Sequence, residues 1–195
     1  MAKYGARYLR FAPFASSNPE PSNAYPNYGT PVTVSKLVKV SDSPSIQEAK
    51  HYADDEMDEY VAEADSADID VEVSDVSNSL ANSILGASLD STSGDVSYGD
   101  DTAPYGGLGF VCCKIVNNVK QYVGIYYPKV KAAMQGEDFE TKGESINFAN
   151  GKLKFKASKC NAGKWKVVSA AKTTADAAKT WVDTMLGVSS GGGTT

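Results

Sequence analysis

The chain of 195 residues predicts a mainly β protein of the α+β class, an antiparallel β-sandwich or barrel with a flanking C-terminal helix and a long loop. Three observations carry that expectation. The stretch DIDVEVSD, residues 68–75, alternates strictly, so Ile69, Val71 and Val73 face a core while Asp68, Asp70 and Glu72 face the other way. Asn117-Asn118 and Asn150-Gly151 each separate two alternating apolar segments, where a two-residue hairpin turn requires positive φ angles. Finally, Ala178, Trp181, Val182 and Met185 recur at helical spacing, making one apolar stripe near the end of the chain.

A chain of this length supports one substantial core, so it reads as one domain with tails. Residues 1–31 form an N-terminal segment and Pro-rich arm, residues 32–187 the β domain, and residues 188–195, ending in SSGGGTT, a flexible tail. Five prolines between Pro13 and Pro31 exclude helix and central strand from the arm, which Tyr25 and Tyr28 could anchor on a neighbouring surface. Val32–Val40 reads as a strand. DEYVAEAD and SADIDVEVSD then read as two further strands joined by a turn near Ser66. A short helix follows, capped by Asp75 or Ser77, with Leu80, Ile84 and Leu85 on one face and Gly86 at its left-handed end.

Residues 87–109 lack an aliphatic pattern and read as a long exposed loop. From Phe110 the pattern is strand after strand: FVCCKIV and VKQYVGIYY, then ESINFA and KLKFKAS, then KWKVVSAA. Thr173 or Thr174 caps the last helix, and Asp176 suits its positive end.

Composition narrows the function classes. A net charge of −5 and a pI near 4.9 argue against a protein that grips nucleic acid through clustered cations. No apolar run reaches the roughly 20 residues that span a membrane, and MAKYGARYLRF lacks the apolar stretch of a signal peptide, so a cytoplasmic site of synthesis is expected. Cys112, Cys113 and Cys160 have neither disulfide nor zinc spacing and read as small buried side chains. Charge is unevenly spread: Lys50 is the only cation between Asp42 and Asp101, whereas Lys152, Lys154 and Lys156 project from a strand in the lysine-rich second half. The acidic and basic strands are therefore expected on different surfaces.

No catalytic, cofactor-binding or metal site is expected. The single histidine, His51, has no nucleophile motif near it. GGLGF, residues 106–110, leads into a strand and so lacks the helix dipole of a phosphate loop; it reads as a turn. The acids from Asp54 to Glu59, and Asp90, Asp95 and Asp100, do not have the spacing of a calcium loop. Carboxylates about 7 Å apart along one strand face, as Asp68, Asp70 and Glu72 would be, repel by roughly 0.6 kcal/mol per pair in water, a cost that needs an explanation.

YLRFAPF, the stretch HYADDEMDEYVAEADSADIDVEVSDVSNSLANSILG, and the strand-rich second half ending in KTWVDTML together resemble the major tail protein of long-tailed, non-contractile bacteriophages. The resemblance covers residues 4–12, 32–86 and 108–187 and rests on the order of the elements. It implies a fold of the phage tail-tube type and a virion protein, assembled in the host bacterial cytoplasm, whose hexameric rings stack into the tail tube. With four strands from each of six subunits, such a ring encloses a barrel of roughly 115 Å circumference, and ring closure pairs otherwise open strand edges. The implied partners are further copies of the chain and the tape measure, tail terminator and tail tip proteins, with DNA passing without specific binding.

Within that resemblance the acids acquire a role. Duplex DNA carries one charge per ~1.7 Å, and an anionic wall repels it and lets it slide. Glu63, Asp68, Asp70 and Glu72 are the candidate lumen-facing acids. A tube of a related secretion or bacteriocin-like apparatus shares the ring architecture. A different class, a monomeric β-sandwich binding module, would use Tyr122, Tyr126 and Tyr127 as a contact surface.

Overall fold

The computed structural model describes residues 3–53, 56–133, 135 and 150–188. In chain order the elements are β1 (Lys3–Pro13), β2 (Val32–Thr33), β3 (Leu37–Ala53), β4 (Glu56–Val73), α1 (Asn78–Leu85), β5 (Ser88–Leu89), β6 (Val96–Ser97), β7 (Tyr105–Val116), β8 (Val119–Ala133), β9 (Gly151–Ser158), β10 (Val167–Val168) and α2 (Ala175–Met185). The protein is mainly antiparallel β with a C-terminal helix. The main sheet runs β2-β1-β7-β8-β9-β4-β3, with β10 on a further stretch of β8. Lys3–Pro13 therefore belongs to this sheet, pairing along β7.

The sheet rolls on itself. Leu9 and Phe11 of β1, Ile69 and Val71 of β4, Phe110 of β7, Tyr127 of β8 and Phe155 of β9 share one buried cluster, and a cleft lined by both Tyr4–Ala6 and Val38–Val40 marks where β1 and β3 come close. The expected strand Val32–Val40 breaks at this seam: Val32 and Thr33 pair with β1, Val34 donates to Leu9, and from Leu37 the chain pairs with β4. One segment thus links the two ends of the rolled sheet.

Leu80 and Ile84 of α1 enter the same cluster and close the barrel at the end where β4 finishes. The helix starts and stops as its sequence dictates: Ser77 accepts from Leu80 N–H, and Gly86 takes φ 76°, a conformation that side chains with a Cβ disfavour. On the outer face, Ala178, Val182 and Leu186 pack over Val111 and Tyr126 in a second cluster. Thr174 caps α2 and Asp176 sits in its first turn.

Four expectations change. No turn interrupts residues 56–73: β4 is a single strand of 18 residues, and the hairpin is β3–β4. The irregularity read as a turn is a β-bulge, because Ser45 pairs with Ser66 while Ile46 pairs with Ala64, leaving Asp65 as the extra residue.

Second, Gly106–Gly109 are interior residues of β7 and not a turn. Gly107 and Gly109 lack a side chain where Tyr28 of the arm and Leu186 and Val182 at α2 lie on them, and Gly106 where Phe11 and the Ala12 carbonyl of β1 pass. A Cβ on Gly109 would sit 2.6 Å from Val182 Cγ1, and one on Gly124 of β8 would overlap the Trp181 ring.

Third, residues 87–109 are not a single loop; they contain the small β5–β6 hairpin and the first residues of β7. Fourth, acid and base do not lie on separate surfaces, as described below. The Asn117-Asn118 turn is as expected, with φ 49° and 63° between paired Val116 and Val119. Of KWKVVSAA, Val167 and Val168 form a strand. The expected strand ESINFA and the tail SSGGGTT lie outside the described residues.

Candidate functional site

Asp68, Asp70 and Glu72 project from the outer face of β4, because Ile69, Val71 and Val73 occupy the barrel interior. Directly across the β4–β9 ladder they meet Lys156, Lys154 and Lys152 respectively. Lys154 Nζ lies 3.3 Å from Asp68 Oδ2, a diagonal contact, and Glu72 also faces Lys39 of β3. The repulsion expected along β4 is thus offset by opposite charges next to it, each such pair contributing roughly 0.2–1 kcal/mol. The face is a charge-balanced lattice, not an anionic wall.

Glu63 lies farther along β4, opposite Gln47 of β3. The bulge at Asp65 keeps Glu63 on the same face as the other three candidates; in an unbroken alternation it would point the opposite way. Among the described residues no lysine strand accompanies it, since β9 ends at Ser158, opposite Ser66. The four candidate acids therefore share a face but not an environment.

Beyond that point β3 and β4 continue as a two-stranded ribbon. Ile46 is 58% exposed, Tyr60 49% and Val61 43%, and residues from Pro44 to Lys50 are exposed whichever way they point. His51 is exposed on this ribbon. Lys50 Nζ stands 5.8 Å from the Tyr60 ring centroid, and a hydrogen bond to Glu48 raises the Tyr60 phenol above its ordinary value. Asp54 and Asp55, part of the calcium candidate, lie outside the described residues; among those described, no three Asp, Glu, His or Cys converge as a metal site.

Tyr126 and Tyr127 are fully buried, so they offer no contact surface; only Tyr122 of that trio is partly exposed. Tyr127 stacks on Phe110 and donates to Asp42 Oδ2 at 2.9 Å, while Lys166 forms an ion pair with the same oxygen. Burial, with Asp42 adding to it, pushes the Tyr127 phenol up, so it holds its proton and acts as a fixed donor. The cluster borders the β1–β3 cleft of about 320 Å³.

The arm lies on its own domain. Tyr28 is hydrogen bonded to Tyr126 and donates to the Pro128 carbonyl at 2.6 Å, and Glu20 accepts from Lys129 at 2.8 Å. Burial raises the phenols of both Tyr28 and Tyr126. Cys112, Cys113 and Cys160 are buried, as expected. A further polar feature is Tyr122, flanked by Arg7 and Lys120, each 5.6 Å from its ring centroid. Alternation gives no sign of it, since Arg7 arrives from β1, more than a hundred residues away in sequence.

Compared with known proteins, the chain matches no family model, and no curated protein is significantly similar to it in sequence.

Proposed function

We propose that the protein is a structural subunit that polymerises into rings, stacked as the tail tube of a long-tailed, non-contractile bacteriophage. The observation that carries this reading is the β3–β4 ribbon. A two-stranded ribbon is marginal in water by itself, and one that exposes Ile46, Tyr60 and Val61 along with a β3 edge that no other described strand pairs needs a second surface to cover it. Neighbouring copies supply such a surface in a closed ring. The resemblance in the order of elements names which assembly that is; six subunits per ring, delivery of DNA through the bore and the virion location come with it. No catalytic step is assigned.

The charge lattice modifies the lumen reading. A bore lined by this face of β4 is neutral where β9 runs beside it and anionic only from Asp65 towards Glu63. Duplex DNA then meets alternating charges that neither hold nor strongly repel it, followed by an acidic rim.

Electron microscopy of the purified protein across a concentration series tests the reading. Rings or cross-striated tubes are expected; particles that remain single up to millimolar concentration would refute it.

A further inference from the structure

We propose that the ribbon of one copy seats on the cationic patch around Tyr122 of the next copy. This rests on the ring reading and names the two surfaces that make the contact.

The patch is assembled from distant parts of the sequence. Arg7 of β1 lies over one part of the Tyr122 ring and Lys120 of β8 over another, and Arg7 Nη2 is further held by the Cys113 sulfur at 3.0 Å. Lys172 is fixed beside them by paired backbone hydrogen bonds, Tyr122 N–H to the Lys172 carbonyl and Lys172 N–H to the Tyr122 carbonyl, both 2.8 Å. Among the described residues, none of these three cations forms a salt bridge with a carboxylate. The acids of nearby α2 are already engaged, Asp183 with Tyr8 and Arg10, and Asp176 with Lys179. Just beyond, at the tip of the β7–β8 hairpin, Ile115 and Val119 are exposed.

The ribbon has the complementary makeup. Its described side chains include the acids Glu48, Glu63 and Asp65 against Lys50, together with the exposed Ile46, Tyr60 and Val61. Acid and apolar surface on one element thus answer base and apolar surface on the other. Sheet order keeps the two apart within a molecule. Tyr122 and Lys120 lie on β8, which β9 separates from β4, and Arg7 lies on β1, which β7 separates from β8. Two different surfaces of one chain make a head-to-tail contact, the kind that generates rings where the rotation closes. The ten residues from Pro44 to Ala53 extend roughly 33 Å, enough to reach across a neighbouring domain.

The test uses two charge-reversed proteins. The patch variant is Lys120→Glu with Lys172→Glu; the ribbon variant is Glu48→Lys with Glu63→Lys. All four positions lie outside both buried clusters, and a melting curve on each variant checks folding, with Lys120→Ser as a milder patch variant. Sedimentation should show that each variant alone needs at least a tenfold higher concentration than wild type to assemble. An equimolar mixture of the two should recover assembly, because a cationic ribbon then meets an anionic patch and the reverse. Variants that assemble like wild type, or a mixture that fails to recover, overturn this contact while leaving the ring reading intact. A wild-type protein that never assembles overturns both. Binding of duplex DNA that is lost in the patch variant, with assembly unchanged, would make the patch a polyanion site and likewise refute the contact.

Discussion

Asp70 of β4 stands directly across from Lys154 of β9, the middle rung of a ladder whose outer rungs are Asp68 with Lys156 and Glu72 with Lys152. Reversing the acids therefore does more than alter a surface potential, since it sets like charges opposite one another. Asp68, Asp70 and Glu72 replaced together by Lys should cost about 1–3 kcal/mol of stability, summing rung by rung. Urea unfolding at low and high salt reads this, the loss shrinking as salt screens it. Glu63→Lys, with no lysine strand beside it among the described residues, should change stability by less than about 0.5 kcal/mol. Equal losses in the two proteins would contradict the ladder.

The contact between α2 and the barrel depends on two missing side chains. Gly124→Ala drives a methyl into the Trp181 ring and should destabilise by about 1–3 kcal/mol, with a shift in tryptophan fluorescence. Adding Trp181→Leu to that variant makes room and should recover part of the loss. If Gly124→Ala is neutral, the helix does not pack on this part of β8.

Tyr127→Phe removes a phenol that donates to Asp42 but leaves the Lys166 ion pair and the stacking on Phe110 in place. A loss of about 1 kcal/mol is expected in thermal or urea unfolding. A larger loss is expected from Lys166→Met, which takes the countercharge from the half-buried carboxylate.

Three phenols, those of Tyr28, Tyr126 and Tyr127, are raised by burial above their ordinary value of 10.0. In the folded protein they stay protonated where the unfolded chain would release them. Their contribution is therefore complete below pH 10 and falls as pH rises above it, by up to about 4 kcal/mol per pH unit if all three are released together on unfolding. Ultraviolet titration should show that these three of the eleven tyrosines ionise only with unfolding. Smooth titration of all eleven near pH 10, with the fold intact, would contradict their burial.

What the sequence reveals is mostly local. Ser77 and Gly86 bracket α1, Thr174 opens α2, and Asn117-Asn118 turns β7 into β8, because in each case the governing contact lies within a few residues. Non-local pairing is not legible. Asp68 and Lys156 are far apart in the chain, so nothing in either strand announces that they are neighbours and not occupants of opposed surfaces. Nor can GGLGF be recognised as space cleared for Val182 and Leu186, since small residues signal a turn unless the helix above them is known. Ser66 misleads for a related reason: a slip in alternation marks a bulge as readily as a turn, and only the partner strand distinguishes them. Of the candidate site, Asp68, Asp70 and Glu72 follow from alternation, while the face of Glu63 depends on the bulge and the Tyr122 patch requires the fold.

The extra residue at Asp65 works like a half-step in a screw thread. Opposite it β3 runs straight through and sets both faces, so the one added residue is what turns every β4 side chain from Ala64 towards the ribbon's tip over relative to an uninterrupted count along β4. At that spot, how many residues the chain has matters more than which ones they are.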